Sequence, residues 1–223
     1  MTTITRDDSE IRDDVLAELD FEPEVGPGEI GVTVKDGVVS LLGTVESYPM
    51  RQAAAAAAHR IRAVRAVANE LEVKFPYPTA PTDETIAKAA VLALAGHIQV
   101  PNNQLDVTVS AGCVTLTGEV PWQFQRQAAE NTVRPLAGVR AVINRITIKP
   151  AVTVPDIKLK IERALVRNAE TDADHIRVAV QGPKVLLSGS VRAWLEREEA
   201  QRAAWSTPGV TAVENNIAIT PGI

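Results

Sequence analysis

Apolar residues recur along this chain in two rhythms, and the order of those rhythms returns three times. A stripe at Ile11, Val15, Leu16 and Leu19 gives way to strict alternation at Ile30, Val32 and Val34. The succession returns at Ile86, Ala90, Val91 and Leu94 with Leu105, Val107 and Val109, and again at Ile157, Ile161 and Leu165 with Ile176, Val178 and Val180. Spacing of three and four predicts a helix with one buried face, and alternation predicts a strand buried on one side. Asp8 and Asp83 stand where they would cap the first two of these helices.

After each alternating strand comes a second one built on Leu-x-Gly-x-Val. It reads Leu41 to Val45 around Gly43, Leu116 to Val120 around Gly118, and Leu187 to Val191 around Gly189. Asp36-Gly37 and Ala111-Gly112 predict tight hairpin turns between the paired strands, whereas the third copy carries Gly182-Pro183. A second helix follows, over about 47–63, 123–135 and 195–205, and the unit closes on a strand with the rhythm Val64, Val67, Asn69; Val139, Val142, Asn144; Val210, Val213, Asn215. Gly138 and Gly209 are placed to end their helices at positive φ, with Ala63 in the corresponding position of the first copy.

The order helix, strand, strand, helix, strand implies an α+β fold. A hairpin followed by a right-handed strand-helix-strand crossover makes a three-stranded mixed sheet with both helices on one face. The copies align without a gap, so domains are expected over 8–74, 83–149 and 155–220. The linkers at 75–82 and 150–154 contain proline, which predicts stiff, extended spacers holding distinct modules at a fairly defined distance.

These residues resemble the BON domain, named for bacterial osmotically inducible and nodulation proteins. The resemblance rests on the αββαβ order, the Leu-x-Gly-x-Val strand and the Val-x-x-Val-x-Asn strand, and it covers nearly the whole chain in three copies. It implies a non-enzymatic protein that associates with phospholipid membranes or other envelope components, in osmotic or stress contexts. Many members of that family are exported.

Composition narrows the chemistry. With 223 residues and 45% of them hydrophobic, the chain can fill packed cores, although units of this size lie near the lower limit for independent stability. The single cysteine, Cys113, excludes an intrachain disulfide and is expected as a packed thiol on its strand. His59, His97 and His175 occupy non-equivalent positions without metal-ligand spacing, and read as surface or packing residues. The carboxylates crowded between Asp7 and Glu24 lack a calcium-loop pattern and read as a solvated acidic face. Neither a phosphate-binding glycine loop nor a nucleophile elbow is present, so no catalytic residue, cofactor or metal is assigned. A net charge of −5 without a basic stripe disfavours nucleic acid.

Gly43, Gly118 and Gly189 read as structural, admitting close backbone approach or a bulge. Asn69, Asn144 and Asn215 read as bonding to their own backbone at strand ends. The candidate contact surface is the start of the second helix, which carries Tyr48 and Arg51, then Trp122, Phe124 and Arg126, then Trp194 and Arg197. An aromatic ring beside an arginine suits a lipid-water boundary, while the plainer reading is a ring that staples the helix to its own domain. The middle copy is favoured: Trp122 and Phe124, two residues apart, cannot both point inward easily. Its span of six basic and five acidic residues does not repel an anionic membrane, unlike the first copy's seven and thirteen.

Two function classes follow from these features, a peripheral phospholipid-binding protein and a multivalent protein-binding scaffold. The stretch Met1 to Asp20 is acidic, with isolated apolar residues, and reads as neither signal peptide nor membrane span. As it stands the sequence implies a cytoplasmic protein; removal of a leader would imply the periplasm or envelope.

Overall fold

A computed structural model describes residues 7–26, 30–77, 81–101, 104–149, 156–167 and 175–220. In the first unit α1 (Asp8–Phe21) precedes the hairpin β1 (Ile30–Lys35) and β2 (Val38–Val45), then α2 (Tyr48–Arg60) and the broken closing strand β3 (Ala66–Asn69) and β4 (Glu72–Val73). The second unit repeats this as α3 (Asp83–Gly96), β5 (Leu105–Ser110), β6 (Cys113–Val120), α4 (Gln123–Val133), β7 (Ala141–Asn144) and β8 (Thr147–Ile148). The third has α5 (Ile157–Arg167), β9 (Ile176–Gln181), β10 (Lys184–Val191), α6 (Trp194–Trp205) and one unbroken closing strand, β11 (Ala212–Ile219).

Each sheet centres on the glycine-bearing strand, paired antiparallel to the strand before it and parallel to the closing strand. The register is the same in all three. Gly43, Gly118 and Gly189 lie opposite Ile30, Leu105 and Ile176, and Leu41, Leu116 and Leu187 lie opposite Asn69, Asn144 and Asn215. The glycines sit at φ between +121° and +127°. A Cβ on Gly118 would fall 2.0 Å from the Gln104 carbonyl oxygen, and one on Gly189 would fall 2.0 Å from that of His175. The glycine therefore serves close approach to the entering strand, because no other residue fits the space or the backbone angle.

Asp8 and Asp83 have a different task from capping. The N-caps are Asp7 and Thr82, and Thr82 accepts from the Thr85 N–H through its side chain. Asp8 instead accepts from the N–H groups of Asp36 and Gly37 at 2.8 and 3.1 Å. Asp83 does the same for Ala111 and Gly112 at 2.8 and 2.9 Å. The turn residues all have positive φ, as a two-residue hairpin of this hand requires. A carboxylate at the start of the first helix thus ties that helix to the hairpin tip. In the third unit the corresponding position is Val154, and the turn places Gly182 alone at positive φ.

Ala63 adopts φ +73°, matching Gly138 at +88° and Gly209 at +90°. The first copy is therefore closed in the same way as the others, with an alanine bearing the strain. These residues lie beyond the ends of α2, α4 and α6 and form the turn into the closing strand; they do not terminate the helices.

The core lies between sheet and helices, with Val39 and Leu41 facing Ile11, Val15, Ala54 and Ala57 in the first unit. Cys113 is only half-buried: Val114 and Leu116 take the helix side of β6, which by strand alternation puts Cys113 on the opposite face. Whether the modules pack together was left open by the sequence, and the contacts show that they touch. Buried side chains of the first two units form one continuous cluster, with Phe75 of the joint packed against it. The Arg140 guanidinium lies 4.9 Å from the Phe75 ring centroid and donates to the Val73 carbonyl at 2.9 Å. The third unit keeps a cluster of its own but touches the first where His59 stacks on Trp194, ring centroids 3.8 Å apart. The linker 150–154 lies outside the described residues. No strand of one unit pairs with a strand of another among the described residues.

Candidate functional site

The start of the second helix has a different environment in each unit. In α2 Tyr48 is 6% exposed and belongs to the core, which is the staple reading. In α6 Trp194 is half-buried; its face takes His59, its indole N–H donates to Glu198 at 2.9 Å, and Arg197 lies 4.8 Å from its ring centroid. At the start of α4, Trp122, its N-cap, and Phe124 remain presented, 41% and 53% exposed, with ring centroids 6.4 Å apart. The spacing accords with this: Trp122 is the extended N-cap and Phe124 the second helical residue, while the buried face of α4 is taken by Ala128, Ala129 and Val133.

The arginines of the same constellation are engaged with the closing strand. Arg51 donates from Nη2 to the Asn69 carbonyl at 2.9 Å, and Asn69 donates from Nδ2 to the Arg51 carbonyl at 2.8 Å. Arg126 with Asn144 and Arg197 with Asn215 repeat the exchange. Each asparagine also accepts, through Oδ1, from the N–H two residues on, at Leu71, Ile146 and Ile217. The expected local bond is present, and the longer reach across to the helix was missed. A signal for it exists in the sequence, since arginine and asparagine stand 18 residues apart in every copy. Each of the three arginines thus cross-links its helix to the closing strand.

Sequence reasoning also missed the exposed end of α3. There Leu92 is 75% exposed and Ile98 fully exposed, with Val91 also exposed, and no Asp, Glu, Lys or Arg occurs from Ala89 to Gln104. Gln99, next to Ile98, lines the same groove as Trp122 and Phe124.

That groove runs between α4 and α6, with a volume of about 1070 Å³. Gln123, Gln127, Trp194 and Trp205 line it alongside Trp122 and Phe124. Its charged side chains are already partnered: Arg202 with Glu199, Glu198 with the Trp194 indole, and Arg197 with the carbonyls of Asn215 and Ile217. The Gln123 Oε1 atom is buried without a hydrogen-bond partner. His59 sits outside the groove; burial against Trp194 holds its pKa below the ordinary histidine value, Glu198 opposing and Arg197 reinforcing that shift.

No helix among the described residues is long and apolar enough to cross a membrane. The family model described as the BON domain matches residues 7–74, 82–150 and 153–221. Osmotically-inducible protein Y of Escherichia coli (strain K12) is 32% identical over 152 residues, covering 64% of this chain and 73% of that protein. Among solved structures, the C-terminal domain of CdsD, a structural protein of the type III secretion system of Chlamydia trachomatis, aligns over 96% of this chain and 100% of its own. The identity is 12% and the TM-score 0.27.

Proposed function

The chain belongs to the BON domain family, which it carries as three tandem copies, and from that membership we propose a non-enzymatic protein that associates peripherally with phospholipid surfaces in osmotic or envelope stress. The relationship to an osmotically inducible protein supports the physiological setting. The observation that carries the contact surface is the exposed Trp122–Phe124 pair at the start of α4.

Indole and phenyl rings gain from transfer out of water, and the indole N–H keeps a partner at the headgroup level. Ile98 and Leu92 are further exposed apolar side chains of the second unit. Attachment here is a matter of shallow insertion of a few side chains, with weak, reversible affinity as the consequence. The arginine contribution is small, because Arg126 is held by Asn144. The scaffold alternative rests on three similar domains on stiff joints, and the stack of His59 on Trp194 brings the first and third units into contact.

Co-sedimentation of the full chain with phosphatidylglycerol-containing liposomes tests the proposal. Wild type is expected in the pellet, and the double variant Trp122→Ala with Phe124→Ala in the supernatant. Equal sedimentation of both proteins, or none of either, removes the lipid reading.

A further inference from the structure

We infer that the third unit is a lid, docked reversibly on a platform made by the first two units and able to leave it while all three stay folded. Nothing in this depends on the membrane reading.

The units meet head to tail, as residues at equal distances from the repeat glycine show. Arg140 and Arg65 stand equally far beyond Gly118 and Gly43, and Val73 and Ile219 equally far beyond Gly43 and Gly189. Where the second unit meets the first, Arg140 donates to the Val73 carbonyl at 2.9 Å. Where the first meets the third, Arg65 and Ile219 line one cavity. A second set of counterparts carries the pattern a step further: His59 corresponds to Trp205, and Trp194 to Gln123. His59 stacks on Trp194 between the first and third units, while Trp205 and Gln123 line the groove between the third and the second. The same side of each unit thus faces the same side of the next, and three steps lead back to the start, which is a heterologous contact closing into a ring.

The junctions of this ring differ in tightness. Between the second and first units the buried side chains form one cluster, with Arg140 set over Phe75. Between the first and third the clusters stay separate, and a cavity of about 480 Å³ remains between Arg65, Val38, Trp194 and Ile219. Among the described residues Arg65 makes no side-chain bond to the third unit like the one Arg140 makes to the first. The His59 ring that does bridge this junction keeps a buried Nδ1 atom without a hydrogen-bond partner. Between the third unit and the second, Thr211 takes the place of the arginine, and the α4–α6 groove of about 1070 Å³ is left unfilled.

Unfilled volume means forfeited contact, because packed interiors gain their cohesion from close approach. The third unit is therefore held through two loose junctions, whereas its own core around Ile161, Leu165, Val185 and Leu187 is complete. A body with a full core and a poorly packed perimeter separates before it unfolds. Along the chain it is joined only to the second unit, through 150–154, so the contact with the first can break without strain on a connection. Undocking takes His59 off Trp194, beside the exposed Leu195, and removes the wall of the groove that Trp205 contributes.

The full chain carrying Trp122→Phe and Trp205→Phe keeps a ring at both positions and leaves Trp194 as its sole tryptophan. Its emission and acrylamide quenching are followed in urea beside far-ultraviolet circular dichroism. Trp194 is expected to shift to the red, with a quenching constant raised about twofold, at urea concentrations where ellipticity is still native. In His59→Ala that state should be present without urea and with native ellipticity. In His59→Phe, which restores a stacked ring, quenching should match the parent. In the unsubstituted chain the His59 ring protons should lose the ring-current shift from Trp194 over the same range of urea. An emission change that coincides with loss of ellipticity overturns the lid, as does a His59→Ala protein in which Trp194 is quenched like the parent, or a ring-current shift that persists until unfolding. No lipid enters these measurements, so their outcome is scored apart from sedimentation.

Discussion

Asn144 donates to the Arg126 carbonyl at 2.9 Å while Arg126 donates back to the Asn144 carbonyl at 3.3 Å, so a strand end and a helix start hold each other by reciprocal bonds. The exchange joins β7 to α4 at the point where the parallel crossover closes. Replacement of Asn144 by alanine removes both side-chain functions and leaves the Arg126 carbonyl and the Ile146 N–H without their partner. The cost is expected to be about 2 kcal/mol, read as a lowered midpoint in urea unfolding. An unchanged midpoint would mean that water replaces the clasp at no cost.

Ala63 and Ala111 occupy left-handed backbone at φ +73° and +51°. Glycine relieves the clash between Cβ and carbonyl that an alanine suffers there, partly offset by the greater freedom of glycine in the unfolded chain. Ala63→Gly and Ala111→Gly should each raise stability by about 0.5–1 kcal/mol, measured by the same unfolding curves. Gly118→Ala should do the reverse and cost about 3 kcal/mol, because the added methyl would lie 2.0 Å from the Gln104 oxygen.

Asp83 connects the start of α3 to the β5–β6 turn through two charge-assisted bonds. Asp83→Ala is expected to destabilise the second unit by about 2 kcal/mol. Amide exchange supplies the specific check: protection at Ala111 and Gly112 should fall further than at Val114 and Leu116 in the centre of β6.

The His59–Trp194 stack should weaken in acid. Its pKa is lowered in the folded protein by burial, so between that value and the ordinary 6.5 the released imidazole binds more protons than the stacked one. The contact is therefore fully present above about pH 6.5 and is lost progressively as pH falls through the lowered value. Glu198 and Arg197 of α6 face the ring with opposing effects, already included in that direction. Small-angle scattering at pH 7.5 and pH 5 should show the first and third units separating in wild type. In His59→Phe, which keeps a stacked ring without the proton, the two profiles should coincide.

The repeating unit, its strand order and the place of the glycine were legible because each is written in local terms. Alternation at Ile30, Val32 and Val34 and the Asp36-Gly37 turn constrain backbone shape within a few residues. The candidate surface was legible only in part. Trp122 and Phe124 are exposed as their spacing implied, whereas Tyr48 is buried, Trp194 is taken up by His59, and Arg51, Arg126 and Arg197 are turned onto the closing strands. An arginine next to a tryptophan looks the same in sequence whether it faces water or a carbonyl 18 residues away. The repeated interval was visible, but its meaning required the register that brings Asn144 under Arg126.

By itself the sequence determined that one αββαβ unit occurs three times and that its central strand needs glycine, since hydrophobic period and backbone sterics act along the chain. Tertiary structure alone decided which partners those units share: Asp83 with the hairpin, Phe75 beneath Arg140, His59 against Trp194. The reason is physical. A periodic pattern says which face of an element must leave water, but a hydrogen bond or a stacked ring exists only where packing brings two distant groups within a few ångströms.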